Sequence, residues 1–371
     1  MNPPLFPPKK SAWAAFLLTL GGWLAASPEM FGQGCIAVRG GGQCSLTGSF
    51  LSADGGGYPK PGEWLATLNY RFIHSERLFS EDSEFTRPAQ FDAQPIADSQ
   101  FIDLSVLYTV TPRFSIGLTL PFTYASRSTT YEHDNRTRHD SAAGGIGDIR
   151  LTAYYWLLDP AKSPKGNISL GLGPKFPTGD YEAKDTFYTA TGPQIRAVDP
   201  SIQPGDGGLG FSADILAFRE LGPRWQGYLQ GSYLFNPQDT NGVPVTGGPA
   251  FIRSVTSIAD QYSARIGVSY AFMPEWGLSA SLGPRIDGVP ATDALGDSNG
   301  FRRPGYAIAI EPGITWMKHG WTVSVTAPVA LYRNRIQSNE DKRISAITGT
   351  SHTGDAAFAD FFITASISRR F

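Results

Sequence analysis

The sequence predicts an all-β protein, a transmembrane antiparallel up-and-down β-barrel of about twelve strands with short periplasmic turns and long extracellular loops. Three observations predict it: segments of about ten residues that alternate apolar and polar side chains, connectors that alternate short and long, and aromatic residues at both ends of the segments. The 371-residue chain is 41% hydrophobic. Beyond its N-terminal region it has no run of the roughly 18 apolar residues that a membrane-spanning helix needs.

The alternation locates each strand. In the first segment Trp64, Leu68 and Tyr70 alternate with Thr67 and Arg71. The predicted strands are Trp64–Phe72, Ile102–Val110, Phe114–Tyr124, Ile149–Leu157, Ile168–Phe176, Phe211–Ala217, Trp225–Phe235, Tyr262–Phe272, Leu278–Ile286, Tyr306–Trp316, Trp321–Leu331 and Phe361–Phe371. Most of them have about the length that a tilted strand needs to cross a bilayer.

The connectors and the chain end predict where the barrel resides. Short connectors at 111–113, 221–224, 273–275 and 318–320 are typical of periplasmic turns, which leaves both termini on the periplasmic side. The last residue, Phe371, is in phase with Ile367 and resembles the C-terminal signal by which barrel-assembly machinery recognises its substrates. We therefore expect a bacterial outer-membrane protein whose partners are outer-membrane lipid and that machinery.

The N-terminal region predicts export. Lys9 and Lys10 precede the apolar segment 11–26, and residues 1–34 are interpreted as a signal peptide. Residues 35–60 are rich in Gly and Ser and are interpreted as a flexible arm, and residues 61–371 as the barrel. Cys35 and Cys44 are the only cysteines, and an oxidising periplasm predicts a disulfide between them. Lipidation of Cys35 is the alternative.

Charged residues inside the segments take the polar phase. A basic side chain facing lipid near mid-membrane costs about 2–4 kcal/mol, so these residues are expected in the lumen, along a solute path. They are Arg71, Asp103, Arg150, Lys175, Asp214, Arg265, Arg285 and Glu311. The alternative is a network of paired charges that fills the lumen. A net charge of -2 gives no indication of a nucleic-acid partner.

No catalytic pattern is present in the sequence. The five histidines, His74, His133, His139, His319 and His352, all fall in predicted loops or turns, and no GxSxG motif occurs. The acidic loop segments at 81–85 and 204–208 are expected to be solvated rather than to bind calcium. We therefore predict a protein that is not an enzyme and uses no metal or cofactor, with a barrel hydrolase as the less favoured alternative.

Three motifs occur in order along the central third of the chain: GIGDIRL at 145–151, GLGPKFPTGDY at 171–181 and PGDGGLGF at 204–211. With them the sequence resembles the outer-membrane barrels of the "MetA-pathway of phenol degradation" family, which are transporter-like. The resemblance implies movement of small, often hydrophobic or aromatic, molecules across the outer membrane. By position, Asp148 and Asp180 lie where strands meet the external loops, above Arg150 and Lys175. The family motif pairs these acids and bases, which implies a latch at the outer mouth. The alternative is that Gly147, Pro177 and Gly179 only form turns, and that the charges hold the rim of the barrel in register.

These observations predict a channel or transporter for passive uptake of small molecules. The alternative from another class is a closed structural or surface-interaction barrel whose external loops act on partners.

Overall fold

The computed structural model describes residues 58–86, 93–245 and 254–371. The signal peptide, both cysteines and most of the N-terminal arm lie outside these residues, so the expectations about cleavage, the disulfide and lipidation stay predictions. No helix among the described residues is long and apolar enough to cross a membrane.

Within the described ranges, twelve antiparallel strands form one closed sheet, which confirms the predicted fold class. The strands are β1 (Trp64–Ser75), β2 (Ile96–Thr109), β3 (Phe114–Thr129), β4 (His139–Ile146 and Arg150–Trp156), β5 (Gly166–Lys175), β6 (Gly210–Gly222), β7 (Trp225–Phe235), β8 (Gln261–Met273), β9 (Leu278–Val289), β10 (Gly305–Lys318), β11 (Trp321–Thr326 and Val329–Arg335) and β12 (Phe362–Arg370). Each strand pairs with its neighbour in the chain, and β12 pairs with β1 to close the barrel. The interruption in β11 contains Pro328, which has no amide hydrogen for the ladder.

The outward faces of the strands are apolar and the inward faces are polar. On β1, Leu68 is 45% exposed whereas its neighbour Asn69 is 2% exposed. A soluble barrel would bury the leucine and expose the asparagine. The exterior therefore has the pattern of a wall that faces lipid.

The connections also follow the predicted alternation. On the periplasmic side they are short turns, one of which is the 3-10 helix Pro274–Trp276. On the outer side the strands are longer than predicted: β2 begins at Ile96 rather than Ile102, and β3 continues to Thr129 rather than Tyr124. Backbone pairing thus continues beyond the length that a bilayer requires.

These extensions carry an outer cap of short strands and a helix, in a region where only loops were predicted. Its short strands are Arg77–Ser80, Ser83–Glu84, Lys184–Thr189, Gly192–Ala197, Thr240–Pro244, Val255–Ser257 and Ala356–Phe358. Its helix, α1 (Asn339–Thr348), begins with a capping box, in which Ser338 Oγ accepts from the Asp341 amide at 3.0 Å and Asp341 Oδ2 accepts from the Ser338 amide at 2.8 Å.

Candidate functional site: a seam in the barrel wall

The barrel wall is interrupted in β4, between Ile146 and Arg150. The cause is Pro121 on the neighbouring β3. Gly147 donates to the Pro121 carbonyl at 2.8 Å, but Pro121 has no amide hydrogen to return the bond. Thr178 supplies the missing partners: its hydroxyl accepts from the Ile149 amide at 2.9 Å and donates to the Gly147 carbonyl at 2.8 Å. A loop side chain thus replaces one rung of the sheet.

Above this interruption, β4 has a barrel neighbour on one side only. Its upper part, His139–Ile146, pairs with β3, and among the described residues no barrel strand pairs with its other edge. β5 ends at Lys175, level with Arg150, so the wall above that level is closed by loops. We call this part of the wall the seam, and define it by residues 147–149, 177–180 and 204–207. It contains parts of all three motifs that carried the family resemblance.

The three seam segments pack backbone against backbone. A Cβ atom on Gly179 would lie 2.7 Å from Gly205 Cα, and a Cβ on Gly205 would lie 2.5 Å from the Gly179 carbonyl oxygen. Gly147 is held against the Pro121 ring, where a Cβ would lie 3.0 Å from the proline Cγ. Only residues without a side chain allow this approach.

A buried ion cluster fastens the seam, and we call it the latch: Lys175, Asp148 and Asp206. The Lys175 side chain is 1% exposed, forms an ion pair with Asp206, and has its Nζ 3.6 Å from Asp148 Oδ2. Asp148 also accepts from the amides of Gly179 at 3.0 Å and Asp206 at 3.2 Å. The latch therefore joins the end of β5, the interruption in β4 and the loop that precedes β6.

The latch differs in composition from the one that the resemblance suggested. Asp148 and Lys175 are brought together, but Asp180 forms no ion pair with any described residue. Its side chain accepts from the Glu182 amide at 2.9 Å and its carbonyl accepts from the Gly205 amide at 2.8 Å. The second acid is Asp206, which was expected only in a solvated loop.

Three of the predicted lumen residues form a buried network inside the barrel. Glu311 accepts from Arg265 at 2.5 Å and from Arg285 at 2.8 Å. Arg265 also donates to Gln230 at 2.6 Å, and Arg285 is bidentate to Asp287 at 2.6 and 2.8 Å. This arrangement joins the neighbouring strands β7, β8, β9 and β10 along the inner face of the wall.

The other predicted lumen residues also point inward. Arg71 is buried with its guanidinium 4.5 Å from the Phe101 ring centroid. Asp103 accepts from Asn69 at 3.3 Å, and Arg150 is buried opposite Lys175. Asp214 lies opposite Gly171, where a Cβ would come within 3.1 Å of the Asp214 Cβ. Their role in a solute path stays a prediction.

An aromatic cluster lies at the periplasmic end. Tyr58, just before β1, packs edge-on against Trp156 of β4 with ring centroids 5.0 Å apart, and its hydroxyl donates to the Ser163 carbonyl at 2.8 Å. It also lies 5.9 Å from the ring of Phe218 on β6. The chain that enters β1 is thereby fixed to strands on another part of the wall.

His133 contributes to the outer cap. His133 Nδ1 accepts from the Tyr188 amide at 3.1 Å, and its ring stacks on Phe187 at 5.1 Å. Burial lowers the pKa of His133, and the neighbouring His139 lowers this pKa further. The expectation that all histidines lie in loops was wrong for two of them, since His139 begins the upper part of β4 and His74 lies in β1, 2.7 Å from Asp98. No serine, threonine or cysteine of the described chain hydrogen-bonds to His74.

The described residues also contain no group of three or more His, Cys, Asp or Glu placed to hold a metal ion.

On its lipid-facing side the seam is bordered by apolar side chains. Ile146, Phe176, Tyr181 and Leu209 are all exposed. An apolar molecule that reached the seam would therefore meet apolar surface on the bilayer side.

No family model and no curated protein matches the chain. A solved outer membrane channel from Pseudomonas putida F1 is similar in structure, with a TM-score of 0.54 at 14% identity over 85% of this chain and 98% of that one. A Pseudomonas aeruginosa FadL homologue has a TM-score of 0.40 at 7% identity, covering 84% of this chain and 90% of that one. The P. putida toluene transporter TodX has a TM-score of 0.40 at 11% identity, covering 83% and 89%.

The first of these similarities supports the fold alone, and the other two are too distant to support an argument. Together with the closed wall and its apolar exterior, the fold defines the chain as a β-barrel of the bacterial outer membrane.

Proposed function

We propose that the protein is a passive channel for small hydrophobic or aromatic molecules, which leave it through the seam into the outer membrane. The observation that carries this proposal is the seam itself, a part of the wall that loops close instead of a strand ladder. A continuous ladder holds its neighbours by a bond at nearly every residue, whereas the seam is held by isolated backbone bonds at Gly147 and Gly205, a few side-chain bonds and the latch.

The interior favours a lateral exit over an axial one for such solutes. Inward side chains such as Arg71, Arg285 and Glu311 are nearly fully buried, so the described side chains leave little room at their level. Moving an apolar molecule past buried charges gives no favourable transfer free energy. Its transfer from water into lipid, in contrast, is favourable by roughly 25 cal/mol per Å² of apolar surface. A solute that enters through the cap has a shorter and more favourable path through the seam.

The resemblance to the phenol-degradation family supports the same substrate class, and we propose membership of that family on its three motifs. We also propose that barrel-assembly machinery recognises the C-terminal segment. Phe371 is exposed, while its backbone exchanges hydrogen bonds with Trp64 at 2.8 and 3.0 Å. Its ring is therefore accessible at the edge where β12 meets β1.

A closed structural barrel is the second candidate, and the buried Arg265–Glu311–Arg285 network favours it.

The two candidates differ in a measurable way. In Gram-negative cells with an intact lipopolysaccharide layer, the channel speeds entry of the apolar fluorophore N-phenylnaphthylamine, and a closed barrel leaves entry equal to that of cells without the protein. Planar-bilayer conductance recorded beside it separates an axial water path from a lateral apolar one: fast fluorophore entry with little conductance is the expected result.

A further inference from the structure

The lipid-facing wall carries basic residues near the periplasmic turns, and most of them are bonded to the protein. Arg369 donates to the His319 carbonyl at 2.7 Å and lies over the Trp321 ring at 5.0 Å. Lys318 donates to the Glu275 carbonyl at 3.2 Å and lies 5.9 Å from a tryptophan ring. Their charges are thus satisfied by backbone and aromatic groups.

Arg219 on β6 differs from them. It is exposed on the outward phase between Ala217 and Leu221, and no described residue forms a hydrogen bond, an ion pair or a ring contact with its side chain. In register it lies opposite Gly227, two residues from Trp225 of the periplasmic aromatic ring. From this depth a flexible arginine can extend its guanidinium to the level of the lipid phosphates, where the cost of facing lipid falls to about 0–1 kcal/mol.

An apolar groove lies beside Arg219. Its volume is about 600 Å³, and it crosses β5 to β8 and reaches Pro284 of β9 on the outside of the wall. Its outward lining includes Ile168, Ala217, Leu229, Ile266 and Val268.

Gly227, which has no side chain of its own, lies in the floor of the groove with Leu221 next to it. A Cβ on Gly227 would lie 3.3 Å from a Leu221 methyl group, so a larger residue at this position would extend into the groove or push Leu221 into it.

We propose that this groove binds one phospholipid of the periplasmic leaflet, with an acyl chain along the groove and the phosphate on Arg219. The charge of Arg219 complements the phosphate, and its planar fork of N–H donors matches phosphate oxygens. The lining buries the chain as an apolar ligand site does. The occupant is a lipid because the groove faces the bilayer. The proposal is independent of transport through the seam.

The test is native mass spectrometry of the full protein released from a mild detergent, with phosphatidylglycerol added as the probe. Diacylglycerol with the same acyl chains serves as the phosphate-free comparison. Wild type retains one phosphatidylglycerol and little diacylglycerol. Arg219→Gln lowers the retained fraction about tenfold, the effect of losing a charge-assisted hydrogen bond.

Two further variants separate the groove from general surface charge. Lys318→Gln, which removes a basic residue at the same interface, leaves retention unchanged. Gly227→Leu fills the groove and lowers retention with Arg219 intact. Heat-modified migration on a denaturing gel confirms that each barrel is folded. The proposal is overturned by wild type that retains no phospholipid, by equal retention in wild type and Arg219→Gln, or by diacylglycerol bound as well as phosphatidylglycerol.

Discussion

Lys175→Met is expected to open the seam. Methionine keeps the length and the apolar part of the side chain but removes the charge that Asp148 and Asp206 share. Both acids would then lie close together in a site that is nearly closed to water, and each would repel the other. The variant should therefore shift the seam towards a state in which its loops separate and water reaches the acids.

The size of the effect follows from the burial of the latch. Removing one partner of a buried ion pair costs about 3–5 kcal/mol, because the remaining charge is left uncompensated. If 3 kcal/mol of this falls on closure of the seam, the open fraction rises on the order of 100-fold. The exposed pair Lys165–Glu220, with a 3.2 Å contact, supplies the control, since such pairs contribute about 0–1 kcal/mol.

The assay is fluorophore entry into cells, with barrel stability followed by urea unfolding in lipid vesicles. We expect faster entry and lower stability for Lys175→Met, and wild-type behaviour for Lys165→Met. The double variant Lys175→Met with Asp206→Asn removes a cation and an acid together and should recover much of the stability. If the barrel folds, and entry through Lys175→Met is no faster than through wild type, the assignment of the latch as the element that closes the seam is refuted.

Three further results are expected. Glu311→Gln removes the carboxylate that pairs with Arg265 and one of the two that pair with Arg285, and should lower the free energy of unfolding in vesicles by about 3 kcal/mol, whereas an effect within 0.5 kcal/mol would contradict a cohesive lumen network. Tyr58→Ala removes an edge-on contact with Trp156 and should lower the free energy of unfolding in vesicles by about 1 kcal/mol; an unchanged value would contradict a role of this ring in fixing the chain that enters β1. His133 has a lowered pKa in the folded cap, so its contribution to stability is present above its ordinary pKa near 6.5 and is lost as the pH falls through the folded value. The protection factor of the Tyr188 amide, which is its intrinsic exchange rate divided by the observed rate at the same pH, should therefore be lower at pH 5 than at pH 7.5 in wild type, and this difference should disappear in His133→Gln.

The repeating features of the barrel could be predicted from the sequence because each is local. Alternation with a period of two directly reports which face of a strand meets lipid, and Leu68 beside Asn69 is a sufficient example. Turn length likewise reports which side of the membrane a connection occupies. Strand number, strand order and the inward orientation of the charged residues all follow from such short-range signals.

The seam could not be predicted in the same way, because its parts meet only in three dimensions. Lys175 and Asp206 are separated by 31 residues, and the interruption in β4 is caused by a proline on another strand. The motif around Asp206 was visible, but nothing local distinguishes a solvated loop acid from one that pairs with a buried lysine. The extensions of β2 and β3 were also missed, because the alternation of apolar and polar residues is weak where a strand no longer faces lipid. The helix α1 was missed as well.

The central claim is that the seam opens to let apolar solutes into the membrane. A substitution that holds its two loop segments apart tests this claim most directly. In Gly205→Ala the added Cβ would lie 2.5 Å from the Gly179 carbonyl oxygen, so the two loop segments cannot close. Gly222→Ala is the matched control, because a Cβ there meets nothing within 4 Å. The measurement is the rate of N-phenylnaphthylamine entry into cells that carry equal amounts of folded wild type, Gly205→Ala or Gly222→Ala. Faster entry through Gly205→Ala alone is the predicted result, and equal rates for all three proteins would contradict a lateral path through the seam.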